Sequence, residues 1–366
     1  MLKRFEVTNY KGFKDTFIFD LSNAKRYNGL TYLVEKNIVK KALVFGDNGS
    51  GKSNLCTALM DITFHLVDKE KLIAPGPYCY AGSTYNGATF KYIFQFGKEE
   101  VHYEYRKRYY TDLLYEKLWI NNTLVLEYNY ADETHFKLDL AGTETLNKIK
   151  LQPQLSFIKY IFSNTIQNEK SIIKQLVEFV SGMLYFRNLI DGNRYIGFKN
   201  GSADLYQIIL QNNKLEDFRT FLNEFGLRYN LIPFINNFGL STFGIKFENG
   251  NIVEFSNIIS SGTRTLWLFY CWLLDFPKLT FLVMDEFDAY YHYEMSEKIL
   301  KTINKFNNLQ AILTSHTTYL MNKELTRPDC CFLIKDNASI TSISSKKEIR
   351  ENNNIEKMYR DKEFQD

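Results

Sequence analysis

A glycine-rich segment, residues 46–53, limits the possible folds more than any other feature of the chain. It reads GDNGSGKS and fits the pattern GxxxxGK[ST]. A short apolar run at residues 42–45 precedes it and is typical of a buried parallel strand. Apolar residues at helical spacing follow it as far as Asp68, and they are Leu55, Leu59, Ile62 and Leu66. This order of strand, glycine loop and helix predicts an α/β fold with a phosphate-binding loop.

The residue types in this loop suit an anion. Glycines let the backbone approach closely, and the N–H groups of the loop and of the helix start point toward phosphate oxygens. Lys52 would neutralise phosphate charge, and Ser53 would ligate magnesium. The predicted nucleotide contacts of the loop are Gly46, Asp47, Asn48, Gly49, Ser50, Gly51, Lys52 and Ser53. A chance match to this pattern occurs in roughly one protein in a hundred of this length, and the strand and helix around it lower that frequency.

An acidic pair follows a second buried strand. Residues 279–284 are almost wholly apolar, and Asp285 and Glu286 come next. Asp285 could hold magnesium through water, and Glu286 could polarise an attacking water. Acidic residues also end many buried strands simply because the chain emerges into solvent. The pair indicates a catalytic site only because the same chain contains a phosphate-binding loop. A helical pattern and a strand at residues 311–314 then complete a βαβ unit, which predicts a mainly parallel sheet.

Two polar segments flank this unit. Ser260, Ser261 and Gly262 precede a helix-like stretch at residues 266–274, so free N–H groups and the helix dipole would point toward an anion. A plain capping segment has the same composition. His316 closes the later strand, where its imidazole could hydrogen-bond a γ-phosphate or the attacking water. The other histidines considered are interpreted as forming local hydrogen bonds, and they are His65, His102 and His135.

The rest of the chain divides into a strand-rich and a helix-rich part. Apolar and polar side chains alternate over residues 90–96 and again over residues 101–105, with a turn at residues 97–100. A third and a fourth strand flank Asn121 and Asn122, which predicts an antiparallel meander. Within it, residues 105–110 mix cations with aromatics, a composition that suits phosphates and bases but also a solvated hairpin edge. Ile172, Leu176, Phe179 and Met183 have helical spacing and indicate an inserted helical lobe. The predicted division is 1–148 and 241–335 for the two halves of the core, 149–240 for the helical lobe and 336–366 for a tail.

Composition excludes some classes of protein. The 45 lysines and arginines nearly balance the 42 aspartates and glutamates, and a net charge of +3 argues against a strongly basic nucleic-acid coat protein while leaving room for a local basic groove. The five cysteines form no CxxC pair and are interpreted as reduced thiols. The longest apolar run stops after nine residues, so we expect a cytoplasmic protein with no membrane segment.

The order of these segments resembles the ABC-type ATPases of the RecF, SMC and OLD superfamily. Residues 2–13 are similar to the opening strand of that superfamily, and residues 285–292 resemble its Walker B motif and D-loop. The tail, residues 348–359, is similar to the ends of short ATPases from anti-phage systems such as PARIS and Septu. The fold that this resemblance implies is an α/β ABC-type P-loop ATPase head with a mainly parallel core sheet, an antiparallel meander lobe and an inserted helical lobe.

The resemblance also implies roles for the residues and a dimer. In this superfamily two protomers stack head to tail, so residues 46–53 of one copy and residues 260–262 of the other would enclose one ATP. Lys52, Glu286 and His316 would be catalytic, and Ser53 and Asp285 would hold Mg²⁺. The signature departs from the common LSGGQ, because Ser261 stands at its first glycine and Thr263 at its glutamine. Gln95 is a weak candidate for the magnesium-sensing glutamine, since a residue inside an alternating strand is expected to face solvent.

Three functions are consistent with these motifs and with the resemblance to the superfamily. The leading one is the ATP-hydrolysing sensor of an anti-phage defence system, triggered by DNA or by a phage product, that controls a separate nuclease or toxin effector. Because the sequence ends at Asp366, soon after the motifs, we expect the effector to be a separate polypeptide and not a C-terminal TOPRIM nuclease like that of OLD proteins. The alternatives are a RecF-like or SMC-like ATPase of DNA maintenance and a nucleotide-gated scaffold with slow hydrolysis. A transporter subunit ranks last, because about two hundred residues separate the loop from the signature.

Overall fold

The computed structural model describes residues 1–67, 77–132, 136–146, 150–187, 196–197, 204–350 and 353–364. Its strands are β1 (Leu2–Thr8), β2 (Phe17–Asp20), β3 (Val34–Glu35), β4 (Ile38–Val39), β5 (Lys41–Phe45), β6 (Ala88–Phe96), β7 (Glu99–Tyr109), β8 (Asp112–Ile120), β9 (Thr123–Asn129), β10 (Phe136–Leu138), β11 (Met183–Arg187), β12 (Ile196–Gly197), β13 (Leu231–Ile235), β14 (Ser241–Lys246), β15 (Ile252–Glu254), β16 (Phe281–Asp285), β17 (Gln310–Ser315), β18 (Cys331–Lys335) and β19 (Ser339–Ser342). Its α-helices are α1 (Lys52–Met60), α2 (Thr63–Leu66), α3 (Phe157–Asn164), α4 (Ile172–Ser181), α5 (Leu205–Gln211), α6 (Leu215–Glu224), α7 (Phe255–Ile258), α8 (Ser261–Leu273), α9 (Tyr293–Asn304), α10 (Ile343–Lys346) and α11 (Ile355–Arg360). None of these described helices has the length and apolar character needed to cross a bilayer.

A mainly parallel sheet forms the centre of the molecule, with strand order β12-β11-β16-β17-β5-β18-β19. Strands β11, β16, β17, β5 and β18 run parallel, and β12 and β19 pair antiparallel at the two edges. Every residue of β5, β16 and β17 is buried, as expected for apolar strands covered on both faces. Because parallel strands end at one edge, the residues that follow β5, β16 and β17 meet there.

An antiparallel sheet with strand order β10-β9-β8-β7-β6-β1-β2 forms the predicted meander. Buried and partly exposed residues alternate along β6 and β7, so one face packs inward. The helix α1 packs with this face in a core that also contains Ala42 and Val44 of β5. The other face of the central sheet, with Leu43 and Phe45, packs in a second core with α8 and α9. The predicted α/β fold class, with a mainly parallel core and an antiparallel meander lobe, is confirmed.

Two of the helices predicted from apolar spacing differ from those in the structure. The helix after the glycine loop is interrupted, since α1 ends at Met60 and α2 begins at Thr63, and Asp68 lies outside the described residues. The prediction that Met183 continues a helix is wrong, because α4 ends before Gly182 and Met183 starts β11, which pairs with β16 in the central sheet. The stretch 149–240 thus supplies a core strand as well as helices, and the predicted segment boundaries stay a prediction. The five cysteines all lie in the described ranges, and none of them forms a disulfide bond.

A buried ion pair joins the segment after α1 to the meander. Lys107 Nζ donates to Asp61 Oδ1 at 2.6 Å, and both side chains are fully buried. Tyr78 and Tyr105 also donate their hydroxyls to the Asp61 carboxylate, each at 2.9 Å. The helix that begins in the glycine loop is therefore followed directly by a carboxylate fixed inside the antiparallel lobe.

Removing the cation of this pair should be costly. We expect Lys107→Met to lower the free energy of unfolding by about 3–5 kcal/mol, because it leaves the Asp61 charge buried without its counterion. Urea denaturation measures the loss. The matched control is Arg108→Gln, whose side chain is 47% exposed and pairs with Asp112, and which should change stability by less than about 1 kcal/mol. Equal losses in the two variants would show that the buried pair has no special weight.

Candidate functional site

The glycine loop is held in a tight backbone path between β5 and α1. Gly49 and Gly51 have φ values of 79° and 110°, which L side chains rarely adopt. A Cβ on Gly51 would lie 2.6 Å from Asn337 Oδ1, and a Cβ on Gly46 would lie 2.6 Å from Ile334 O. A side chain at Gly46 or Gly51 would be too close to its neighbours, and one at Gly49 would be strained by the positive φ alone. The N-terminus of α1 opens directly onto this loop.

Lys52 is the first residue of α1 and folds back over the loop. Its Nζ donates to Gly46 O at 2.6 Å and to Asp47 O at 2.9 Å, and only 5% of the residue is exposed. Burial lowers the pKa of the Lys52 ammonium, while the charges of Asp285 and Glu286 oppose that shift. The ammonium thus lies at the loop within the electrostatic reach of the acidic pair.

Thr314 of β17 connects the two members of the acidic pair. Its hydroxyl donates to Asp285 Oδ1 at 2.7 Å and accepts from the Glu286 N–H at 2.8 Å. Asp285 is fully buried at the end of β16. Glu286 has a φ of 51°, a left-handed conformation that is strained for a residue with a side chain and that concentrates at functional sites. This arrangement fixes the backbone of Glu286 beside Asp285.

His316 lies opposite Glu286 at the same edge of the sheet. Its Nε2 is 4.0 Å from Glu286 Oε1, and the two side chains are 41% and 30% exposed. Solvent therefore reaches both groups, in contrast to the buried Asp285. The structure brings together the loop, the acidic pair and His316, as the order of the motifs predicted, and their chemical roles stay predictions.

The signature-like segment caps α8. Ser260 Oγ accepts from the Thr263 N–H at 3.2 Å, as an N-cap residue does. A Cβ on Gly262 would lie 2.9 Å from Tyr290 O, so this glycine packs against the turn that follows Glu286. Within the described ranges no hydrogen bond joins residues 260–262 to residues 46–53. Both segments have free helix-terminal N–H groups, but they do not meet in hydrogen-bond contact within one chain.

Gln95 belongs to β6 of the antiparallel sheet and lies near the beginning of the central strand β17. The amino-terminal ammonium donates to Gln95 O at 2.9 Å, and the N–H of Leu2 donates to Gln310 Oε1 at 2.8 Å. Gln310 begins β17, whose last residue, Ser315, pairs with Phe45 next to the glycine loop. Five strand residues span about 16 Å, so the Gln95 side chain does not reach the loop.

Asn337 is a site residue that sequence reasoning missed. Its N–H donates to Ser50 O at 2.9 Å, and its Nδ2 donates to Gly49 O at 3.0 Å. Its Oδ1 accepts from Asn54 Nδ2 at 3.0 Å. Asn337 has a φ of 54° in the turn between β18 and β19, where asparagine is favoured. The Asp-Asn pair at residues 336–337 is a sequence signal for a turn. No pattern in the sequence predicts that this turn contacts the glycine loop.

Two other histidines have structural partners, as predicted. His65 Nε2 lies 2.8 Å from the Tyr103 hydroxyl, and burial lowers the pKa of this imidazole well below its usual value. His102 Nε2 lies 2.8 Å from Glu100 Oε1. His135 lies outside the described residues.

The site fits a phosphate group and a divalent cation. The buried Ser50 Oγ has no hydrogen-bond partner among the described residues, and it lies inside a loop that a Cβ would fill. The Ser53 hydroxyl and the Asp285 carboxylate are oxygen ligands of the kind that Mg²⁺ prefers. The described part of the chain contains no group of three or more His, Cys, Asp or Glu residues that could hold a metal alone. A magnesium ion here would take its remaining ligands from phosphates and water.

Comparison with known proteins places the chain in a family. The sequence profile described as "AAA domain, putative AbiEii toxin, Type IV TA system" matches residues 41–322. No curated protein matches. The SMC head domain from Thermotoga maritima is 16% identical with a TM-score of 0.44, covering 93% of this chain and 98% of that one. The Smc head domain with an extended coiled coil, bound to the C-terminal domain of ScpA and derived from Pyrococcus furiosus, is 14% identical with a TM-score of 0.46, covering 99% and 98%. The RecF–ATP structure is 14% identical with a TM-score of 0.39, covering 93% and 99%.

The matched span covers well over half of the chain. It contains the glycine loop, the signature-like segment, the acidic pair and His316. The chain therefore belongs to this AAA-domain family and is an ATPase-type protein.

Proposed function

We propose that the chain binds ATP and magnesium between two copies of itself and hydrolyses the bond that joins the γ-phosphate to ADP. The observation that carries this proposal is the position of Lys52, which covers the glycine loop beside an acidic pair held by Thr314. Lys52 would exchange its two carbonyl partners for phosphate oxygens. Ser53 and Asp285 would hold Mg²⁺, which neutralises phosphate charge when bound.

Glu286 would act as the general base. Its carboxylate accepts a proton from water as the water oxygen bonds to the γ-phosphorus and the bond to the β–γ bridging oxygen breaks. The products are ADP and inorganic phosphate. The hydrogen bond from the Glu286 N–H to Thr314 would keep the carboxylate directed, and His316 would hydrogen-bond the transferred phosphoryl group.

A second copy of the chain would complete each site. The capped N-terminus of α8 at residues 260–262 has exposed serines and no hydrogen bond to its own glycine loop within the described ranges, which supports a role on the loop of another copy. Phosphate release from ATP at increasing protein concentration tests this. Turnover per chain should rise and then level off as dimers form. Constant turnover per chain at every concentration, or no release at all, would contradict the proposal.

Asn337→Gly should weaken ATP binding by up to about tenfold, because it removes two side-chain hydrogen bonds that hold the loop. Glycine keeps the positive φ of the turn, so the fold should persist. Titration of a fluorescent ATP analogue measures the change. The control is Asn249→Gly in the turn between β14 and β15, which should leave affinity unchanged. Unaltered affinity in Asn337→Gly would remove Asn337 from the site.

We further propose that ATP-driven closure controls a separate nuclease or toxin effector in a cytoplasmic defence system. The family description, which names a putative toxin of a toxin–antitoxin system, and the resemblance of the tail to anti-phage ATPases support this role. Plaque counts on bacteria that carry the chain with its neighbouring genes test it. The natural chain should reduce the counts, and Lys52→Ala should restore them. Equal counts with and without the natural chain would contradict the defence role.

A further inference from the structure

A cavity of about 550 Å³ lies on the outer side of the antiparallel sheet. Thr8 pairs with Thr89 and Thr89 with Arg106, so these residues form a row across β1, β6 and β7 at its wall. Lys14 and Tyr85 also line the cavity. None of its lining residues belongs to residues 46–53, to the acidic pair or to residues 260–262.

Arg106 is a cation without a partner in this wall. Its Nε is buried and has no hydrogen bond, and Arg106 makes no ion pair within the described part of the chain. Glu104, two residues away on the same face, accepts instead from the Tyr115 hydroxyl at 2.9 Å. Guanidinium groups remain charged in proteins and match the oxygens of a phosphate. A buried and unpaired guanidinium nitrogen therefore points to an anionic ligand.

Asn9 and Gly87 lie beside Arg106 in the lining of the cavity. Asn9 is 5% exposed, and its Nδ2 donates to Tyr85 O at 3.2 Å and to Gly87 O at 2.9 Å. Its Oδ1 has no partner among the described residues. Gly87 has a φ of 115°, and a Cβ there would lie 2.9 Å from Lys107 O and 3.1 Å from Arg106 Nε, so a glycine stands directly beside the guanidinium. The cavity is a built feature with two buried polar atoms still unsatisfied.

The charge of the cavity lining and an exposed aromatic ring at its rim indicate the kind of ligand that the cavity would bind. Lys14 and Arg106 outweigh the single carboxylate of the wall, Asp15, so the cavity is net cationic. Tyr85 is 74% exposed at the rim, where its ring can stack on a planar base. We propose that this cavity binds a nucleotide unit, with the phosphate at Arg106 and the base on Tyr85. The unit comes either from a free nucleotide or from a strand of nucleic acid.

Binding measured in a Lys52→Ala background tests this proposal, since that change should weaken binding at the phosphate loop by roughly 10- to 100-fold. The probes are fluorescent ATP and a labelled oligo(dT) of about 12 nucleotides, followed by fluorescence anisotropy. Arg106→Gln should weaken binding about tenfold, and Arg108→Gln, which removes the same charge two residues away, less than about twofold. For oligo(dT), Arg106→Gln should also reduce the slope of log affinity against log salt by about 0.7.

Tyr85→Ala provides a second variant, because an exposed ring can be removed without loss of the fold, and it should weaken binding where Tyr109→Ala does not. Binding of both probes would identify a nucleotide site, and binding of the oligonucleotide alone would identify a strand site. The proposal is overturned if neither probe binds, or if Arg106→Gln and Arg108→Gln have equal effects while thermal melting shows both variants folded.

Discussion

Glu286→Gln is expected to reduce ATP turnover by about 10²- to 10⁴-fold, because the amide cannot accept the proton of the attacking water. ATP should still bind, since Lys52 and the glycine loop are unchanged. The bound but unreacted nucleotide should hold two copies together, so light scattering should show a dimer in the presence of ATP. Phosphate release gives the rate, and a fluorescent ATP analogue gives the affinity.

The matched control for this prediction is Glu294→Gln. Glu294 is an exposed glutamate in the first turn of α9, a few residues beyond the acidic pair. The Glu294→Gln substitution should therefore leave the rate of ATP turnover unchanged. If Glu286→Gln turns over ATP at the natural rate, Glu286 is not the general base, whatever its strained backbone.

Lys52→Ala should weaken ATP binding by roughly 10- to 100-fold, because an ammonium bonded to phosphate oxygens contributes a charge-assisted hydrogen bond in a largely buried position. Turnover should fall with it. Titration with the fluorescent ATP analogue measures the affinity, and circular dichroism checks the fold.

Lys98→Ala is the control, since Lys98 is an exposed lysine in the turn between β6 and β7. Retention of natural affinity by folded Lys52→Ala would mean that residues 46–53 do not hold the nucleotide. Loss of affinity in both variants would point instead to a general electrostatic effect.

The parallel core was predictable because its strands carry an unmistakable pattern. Residues 42–45 are apolar and residues 279–284 almost wholly so, without alternation, as expected of a strand covered on both faces. Once two such strands end at one edge, the residues after them must converge. The sequence alone therefore predicts that Lys52, Asp285 and Glu286 lie at one site.

Contacts made across long stretches of sequence could not be predicted in the same way. Asn337 reaches Gly49 and Asn54 because β18 pairs with β5, and no local pattern records that pairing. Thr314 was recognised only as part of the strand before His316, although its hydroxyl holds Asp285 and Glu286. Periodicity also extended α4 too far, because Gly182 ends the helix while Met183 still fits its apolar spacing.

The shared site is the central claim, and mixing two inactive variants tests it directly. Lys52→Ala damages the glycine loop, and Ser260→Arg damages the segment proposed to act on the loop of another copy. In a mixed dimer both lesions fall on one site, and the other site is intact. An equal mixture should therefore regain about a quarter of the natural phosphate release, since half of its dimers are mixed and each has one intact site. Release no greater than the sum of the two variants measured alone would contradict a site built from two chains.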